Sequence, residues 1–166
     1  YETATYNPKK ANFPNGCHIC ELEIAPETGE IEIARNTVVD DVGFEINPLL
    51  VKGQIHGGIA QGLGQALMEN LVYDEETGQL VTASFMDYCM PRADDMCSFE
   101  IEGRPVLTAT NPLGVKGAGE CGTVGALAAV MNAVNDALAP LGIRHLEMPA
   151  TPERIWQAIR EATGST

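Results

Sequence analysis

An alternation of apolar and charged residues between positions 17 and 42 places the strongest constraint on the fold of this chain. From 18 to 24 the even positions hold His, Cys, Leu and Ile, whereas Glu21 and Glu23 stand between them. Residues 30–35 alternate again after the turn formers of residues 26–29. Because successive strand side chains point to opposite faces of a sheet, the pattern predicts an antiparallel hairpin over residues 17–42 with one solvated face.

Length and charge limit the class of protein. A chain of 166 residues with 45% hydrophobic residues is long enough to bury the core of one domain, and we expect residues 1–166 to form one. The net charge of -13 argues against binding of nucleic acid, whose phosphates attract Lys and Arg. The sequence shows neither a signal peptide pattern nor an apolar run of roughly 18 residues, which predicts a cytoplasmic protein without a membrane span.

The five cysteines predict no metal site. Their number is odd and their spacing irregular, as expected for reduced thiols. Cys17 and Cys20 could be half of a zinc site or a redox pair, but no second CxxC or HxxxH follows to complete four ligands. A strand would also point the two side chains to opposite faces. We therefore favour a structural role for both.

Three helices are predicted, over residues 57–71, 123–138 and 152–162. Gly57 and Gly58 are interpreted as the opening of the first helix and Thr123 as the N-cap of the second. The third begins with Thr151 as N-cap and Pro152 at its first position. Short strands are expected at 99–102 and 106–110, with a turn at Gly78. The fold class is thus α+β, with antiparallel hairpins and three or more helices.

A glycine-rich stretch between Asn111 and Thr123 is the first candidate site. Glycine permits positive φ or close approach of a ligand, and a helix N-terminus offers N–H donors to an anion. Lys116 would add a positive charge there, and burial of Glu120 among glycines would make it a stronger base. The alternative is a solvated connector, to which composition alone gives even weight.

A second candidate patch accompanies the first predicted helix. Gln54, His56 and Gln61 cluster near its expected N-terminus, and Gln61 and Gln65 are four residues apart on one face. Gly62 and Gly64 weaken a helix unless close approach compensates. Taken alone, tight packing of the glycines with half-exposed glutamines is the better interpretation.

Several ordered sequence blocks carry a resemblance to a known family. The blocks are GQIHGGIAQGLGQAL at 53–67, NPLGVKGAGECG at 111–122, NFPNGCH at 12–18, FMDY at 85–88, PRAD at 91–94 and TPERIW at 151–156. Together they resemble the molybdenum hydroxylases, the xanthine dehydrogenase and aldehyde oxidase family. The similarity is strongest to its bacterial carbon monoxide dehydrogenase large-subunit-like branch.

The resemblance implies that the chain is a C-terminal piece of a molybdopterin-binding catalytic subunit. In that family the glutamate of the Lys-Gly-x-Gly-Glu stretch is the base beside the molybdenum, which corresponds to Glu120. The residues that it implies at the pterin and its phosphates are Gln61, Gly62, Lys116, Gly117, Ala118 and Gly119. No residue of this chain is expected to ligate the metal.

The resemblance also implies cofactors and partners. The cofactor would be molybdenum-molybdopterin, in the cytosine dinucleotide form, with FAD and [2Fe-2S] clusters on partner subunits. The chain would join the upstream part of its own subunit and act on an aldehyde, an N-heterocycle or carbon monoxide, with water as the oxygen source. The alternative is a non-catalytic binding or scaffold domain that retains the fold.

Overall fold

The computed structural model describes residues 1–164 and contains one three-stranded sheet. Its strands are β1 (Asn15–Ile24), β2 (Ile31–Asp41) and β3 (Phe99–Gly103), in the order β1-β2-β3. β1 and β2 pair antiparallel, with a register irregularity between Glu21 and Leu22, so the predicted hairpin is confirmed. β3 is also a predicted strand, but it pairs in parallel with β2.

The inner face of β2 forms the floor of the core. Ile33, Asn36, Val38 and Asp40 point inward and are buried. The opposite face is wet, and there Arg35 lies near Glu21 and Glu100 in exposed ion pairs of 3.7 and 3.9 Å. Exposed pairs of this kind contribute little to stability, so burial on the inner face is what fixes the sheet.

Helix α1 (Pro48–Leu67) begins earlier than the sequence pattern indicated. The predicted start at Gly57 and end at residue 71 were wrong. The side chain of Asn47 accepts hydrogen bonds from the N–H groups of Leu49 and Leu50, and Pro48 occupies the first turn, so these residues cap the helix. Gly57 is therefore an interior residue of a longer helix.

The other two helices are α2 (Cys121–Leu138) and α3 (Pro152–Thr163). Thr151 accepts a hydrogen bond from Arg154 N, which confirms the predicted cap of α3. The predicted cap of α2 was wrong, because Glu120 occupies the N-cap position without a side-chain bond. With its antiparallel hairpin and three α-helices, the fold is α+β as predicted.

Helices α1 and α2 pack on each other, and the contacts are made through small residues. A Cβ added at Gly58 would lie 2.9 Å from Thr123 N, and one at Gly62 would lie 2.8 Å from the Cβ of Ala126. The absence of these Cβ atoms lets the two backbones approach closely. The core that results is continuous from β2 to α3; its members include Ile59, Leu63, Val130, Val134, Leu138 and Ile155.

Two long connections lack regular strands. Residues 106–110 form no strand, contrary to prediction, because the main chain bonds to β2 at isolated points instead: Arg104 N donates to Asp40 O and Val106 N to Asp41 Oδ1. The predicted turn at Gly78 is present, with φ of 70° and an isolated bridge between Tyr73 and Leu80.

Within residues 1–164 one segment, Cys121–Leu141, is long and apolar enough to cross a membrane by length and composition alone. Core helices of folded domains pass the same test. In this segment Ala126, Val130, Val134 and Leu138 are buried within the hydrophobic core cluster. The packing therefore accounts for its apolar character.

Candidate functional site

The glycine-rich stretch divides into two halves, and the first, Asn111–Lys116, is tied down. We call it the anchored segment. The Asn111 side chain donates to Val115 O at 2.8 Å and accepts from Val115 N at 3.1 Å. Gly114 has φ of 69° and its carbonyl accepts a hydrogen bond from Phe44 N, so the segment lies against the end of β2.

Lys116 completes this anchorage. Its Nζ donates to Asp41 Oδ2 at 2.5 Å, and its main-chain N–H donates to Val42 O at 2.9 Å. Asp41 also accepts hydrogen bonds from the N–H groups of Val106 and Gly43, each at 2.9 Å. The hydrogen bond from Lys116, followed by that from Val106, lowers the pKa of Asp41 to about 2.

The ion pair between Lys116 and Asp41 gives Lys116 a different role from the predicted one. The sequence placed a free positive charge in the loop, whereas only 10% of the Lys116 side chain is exposed and its ammonium group is paired. A paired, largely buried ammonium cannot turn to an anion without leaving Asp41 unpaired, which is costly. In this geometry Lys116 holds the chain in place.

The second half, Gly117–Glu120, is open, and we call it the open loop. A Cβ at Gly117 would meet nothing within 4 Å, and one at Gly119 would meet only Gln54 Nε2, at 3.8 Å. The Glu120 side chain is exposed and has no hydrogen-bond or ion-pair partner among the described residues. Its predicted burial among glycines was therefore wrong for this chain.

The four glycines of the stretch have different tasks. Only Gly114 takes a positive φ. Gly122 lies against α1, where a Cβ would be 3.0 Å from Ile59 N and closer still to Ile55 O. Next to it, Thr123 Oγ1 donates to Gly58 O at 2.9 Å instead of capping its own helix. The start of α2 is thereby fixed to the middle of α1.

Gln61 and Gly62 do not stand at a helix start, as the resemblance implied, but in the second half of α1. Gln61 is exposed and belongs to a stripe with Gln54 and Gly57, since residues three and seven apart share a helix face. Gly62 is buried against α2. Gln54, which the second candidate patch included but the residues implied by the resemblance did not, lies beside Gly119 of the open loop.

A buried polar cluster behind the loop was not predicted. His18 Nε2 lies 3.6 Å from Asp40 Oδ1, and both side chains are almost completely buried. His18 Nδ1 and Asp40 Oδ2 have no hydrogen-bond partner among the described residues. The sequence carried one signal, the inward-pointing parity of both positions in the hairpin, but parity does not reveal which polar residues meet.

The arrangement offers main-chain N–H donors to an anionic group. Three consecutive residues with little or no side chain, Gly117 to Gly119, expose their main chain directly before the N-terminus of α2, where N–H donors favour negative charge. No group of three or more His, Cys, Asp and Glu residues that could hold a metal occurs in the part of the chain that the structure describes.

The first half of the chain matches a protein family. A family model described as the molybdopterin cofactor-binding domain matches residues 1–97, which is more than half of the chain. This match includes the hairpin, α1 and all but the last residue of the connection from α1 to β3. The anchored segment and the open loop lie beyond it, but the individual relatives align across them.

Two relatives illustrate the similarity. The nicotine 6-hydroxylase large subunit of Paenarthrobacter nicotinovorans is 45% identical over 161 residues, which is 95% of this chain and 19% of that protein. The carbon monoxide dehydrogenase large chain of Hydrogenophaga pseudoflava is 35% identical over 94% of this chain and 19% of that protein. The chain thus spans about a fifth of the length of these curated relatives.

Solved structures of related enzymes have the same fold as this chain. A Cu,Mo-CO dehydrogenase has a TM-score of 0.90 at 35% identity and matches 96% of this chain and 20% of its own. Quinoline 2-oxidoreductase from Pseudomonas putida 86 has a TM-score of 0.79 at 44% identity over 84% of this chain and 18% of its own. By sequence, fold and family model, this chain belongs to the molybdopterin cofactor-binding domain family of the molybdenum hydroxylases.

Proposed function

We propose that this chain is the C-terminal, base-bearing part of the large subunit of a molybdenum-dependent oxidoreductase, with Glu120 as the catalytic base. One observation carries the proposal. Glu120 is an exposed carboxylate without a partner in residues 1–164, and it stands between an open glycine loop and the start of α2. A general base needs such a free carboxylate within reach of the proton that it takes.

The open loop supports binding of the cofactor. Gly117, Ala118 and Gly119 would offer their main chain to the pterin and its phosphates, because no side chain covers Gly117 and only Gln54 approaches Gly119. Gln61 would extend the contact along the exposed stripe of α1. Lys116 contributes by fixing the loop, and Gly62 by letting α1 approach α2.

These positions assign different chemical roles to the cofactor and to the protein. When bound, the molybdenum centre supplies the two-electron oxidation chemistry. Glu120 would accept the proton at its carboxylate. Because this carboxylate is exposed in the chain, the dry surroundings that strengthen a base would be completed by the cofactor and by the upstream part of the same subunit.

The relatives suggest the chemical range of the substrate. They include a nicotine hydroxylase, a carbon monoxide dehydrogenase and a quinoline oxidoreductase. We propose a small molecule of the N-heterocycle, aldehyde or carbon monoxide type, hydroxylated or oxidised with oxygen from water. We further propose the cytosine dinucleotide form of the cofactor, iron–sulfur and flavin partner subunits that carry [2Fe-2S] and FAD, and a cytoplasmic location.

The test is Glu120→Gln in the full-length, cofactor-loaded assembly. Loss of a general base lowers turnover by about 10² to 10⁴-fold, and the isosteric amide leaves the molybdenum content near that of the wild type. Glu161→Gln, an exposed carboxylate on α3, is the control and keeps its rate. Wild-type turnover in Glu120→Gln would refute the base assignment. A folded full-length protein free of molybdenum would favour the scaffold alternative.

A further inference from the structure

The first turns of α2 lie against the rest of the protein on two sides. On one side Gly122 contacts α1, and Thr123 Oγ1 donates to Gly58 O at 2.9 Å. On the other side a Cβ added at Gly125 would collide with the Cδ2, Nε2 and Cγ atoms of His18 on β1. The imidazole ring therefore lies directly against the main chain of α2 and fills the space between the hairpin and the helix.

We propose that His18 is a positioning residue, whose ring, held by Asp40, sets the distance between β1 and the start of α2 and thereby the place of Glu120. Glu120 occupies the N-cap position of α2, five residues before Gly125, so a shift of the helix moves the carboxylate with it. The importance of that place for catalysis rests on the proposed function, whereas the contact between His18 and α2 is a property of the fold.

Asp40 holds the ring from the side of β2. Its Oδ1 lies 3.6 Å from His18 Nε2, and the side chains of His18 and Asp40 are 5% and 3% exposed. Gly16, the cross-strand partner of Asp40, leaves the space that this carboxylate needs, because a Cβ there would collide with Asp40 Oδ1. The ring is thus enclosed by β1, β2 and α2, and it cannot turn away from Gly125 without leaving its buried partner.

Stability alone does not explain a polar pair at this position. His18 Nδ1 and Asp40 Oδ2 are buried and have no hydrogen-bond partner among the described residues. Burial of such atoms is costly, and apolar residues of similar volume often replace a buried polar pair without loss of stability. What the pair adds is direction, because the attraction between Nε2 and Oδ1 favours one orientation of the ring against α2.

The contact is tested by changing the space on both of its sides in the full-length, cofactor-loaded assembly. Gly125→Ala places a methyl group where the ring lies, and His18→Ala removes the ring. The measurement is hydrogen–deuterium exchange of the peptide that contains residues 117–124. In the wild-type background Gly125→Ala should accelerate exchange about tenfold, because overpacking pushes the start of α2 away from the hairpin.

The same substitution should act differently once the ring is gone. In the His18→Ala background, Gly125→Ala should leave exchange unchanged or slow it, since the methyl group then has room and alanine favours a helix over glycine. Acceleration by the same factor in both backgrounds, or no acceleration in either, would overturn the proposal.

A second experiment separates positioning from stability. The double variant His18→Leu with Asp40→Val replaces the pair by apolar residues, so the assembly should unfold at or above the wild-type temperature. Its kcat should nevertheless fall about tenfold while KM and the molybdenum content stay near the wild-type values, because a misplaced base slows the chemical step. The substrate is an N-heterocycle, an aldehyde or carbon monoxide, whichever the wild type oxidises.

Three results of the second experiment would contradict the role of His18. They are a wild-type kcat in the double variant, a lower kcat that accompanies loss of molybdenum, and a lower kcat that accompanies a lower unfolding temperature. His145→Leu, which changes an exposed histidine, is the control and keeps the wild-type kcat.

The outcome can be separated from that of the proposed function. The exchange measurements require neither a substrate nor a base, whereas Glu120→Gln reports on the base through turnover. If Glu120→Gln kept wild-type turnover while the two backgrounds differed as expected, the base assignment would fail and the contact that positions α2 would stand. Loss of turnover in Glu120→Gln without a difference between the backgrounds would retain the base and remove the positioning role of His18.

Discussion

Glycines at the crossing of α1 and α2 and glycines in the open loop have the same side chain and opposite surroundings. Gly58, Gly62 and Gly122 lie where an added Cβ would meet the backbone or side chain of the neighbouring helix within about 3 Å. Gly117 and Gly119 lie where it would meet nothing or one flexible glutamine. The first set lets two backbones touch, and the second leaves a backbone uncovered.

The difference shows that one glycine-rich motif has two physical tasks. Its last glycine, Gly122, belongs to the helix crossing, whereas Gly117 and Gly119 belong to the exposed open loop. A motif of this kind therefore fixes the position of Glu120 through the helix crossing while it leaves the main chain of the open loop exposed. Substitutions should separate the two tasks.

The largest effect is expected from Gly122→Ala. The new methyl group would overlap the main chain of α1 at Ile55 O, which cannot move as a side-chain tip can. Overpacking of this kind should lower the free energy of unfolding by about 3 kcal/mol. In a chain of this length, thermal unfolding should then occur roughly 10 °C lower.

Gly57→Ala is the matched control for Gly122→Ala. It lies inside α1 with nothing within 4 Å of the added Cβ, so alanine should stabilise the helix by up to about 1 kcal/mol. The comparison would break down if both substitutions shifted the unfolding temperature in the same direction.

An intermediate effect is expected from Lys116→Met, which removes the anchor of the loop but keeps much of the side-chain volume. Loss of the partly buried ion pair should lower the free energy of unfolding by about 1 to 2 kcal/mol at neutral pH. The exposed Lys52→Met should change it by less than about 0.5 kcal/mol. Equal losses would show that Lys116 is no special anchor.

The pH dependence sharpens this test. Folding lowers the pKa of Asp41 from 3.8 to about 2. Ionised Asp41 therefore stabilises the fold fully when the pH is above the pKa of the unfolded chain, and this stabilisation is lost as the pH falls through the pKa of the folded chain. The difference in stability between wild type and Lys116→Met should therefore be constant above about pH 5 and shrink toward pH 2. Denaturant unfolding at several pH values measures it.

The smallest effect on folding is expected from Gly117→Ala. The position has negative φ and open space, so the free energy of unfolding should stay within about 0.5 kcal/mol of the wild type. In the full-length assembly the same methyl group would, on the proposed function, stand between the main chain and the cofactor. Molybdenum retained after gel filtration should then fall, and unchanged retention would argue against contact at this residue.

Local sequence rules predicted those elements whose causes are local. Alternation located β1 and β2, and Thr151 with Pro152 located the start of α3. The same rules misplaced the start of α1, because they treated Gly57 and Gly58 as a helix opening. Gly58 instead lets α1 contact α2, where its carbonyl accepts a hydrogen bond from Thr123, a residue 65 positions later in the sequence.

The candidate site shows the same limit. The glycine-rich composition and then the family resemblance brought attention to Glu120, but neither could show that Lys116 would be paired with Asp41. Nor could they show that β3 would add to β2 in parallel, since pairing between distant strands depends on tertiary packing. The exposure of Glu120 likewise depends on which elements pack around it in the fold rather than on the residues next to it in the sequence.

The wide sequence separation of the loop anchors has a consequence for how this molecule folds. Asp41 and Lys116 are 75 residues apart, and Gly58 and Thr123 are 65 apart. A contact between residues so far apart in sequence costs loop-closure entropy, which is offset only after most of the chain has collapsed. The hairpin can form early from neighbours, whereas the open loop acquires its shape in the last steps, so an ordered site is a product of complete folding.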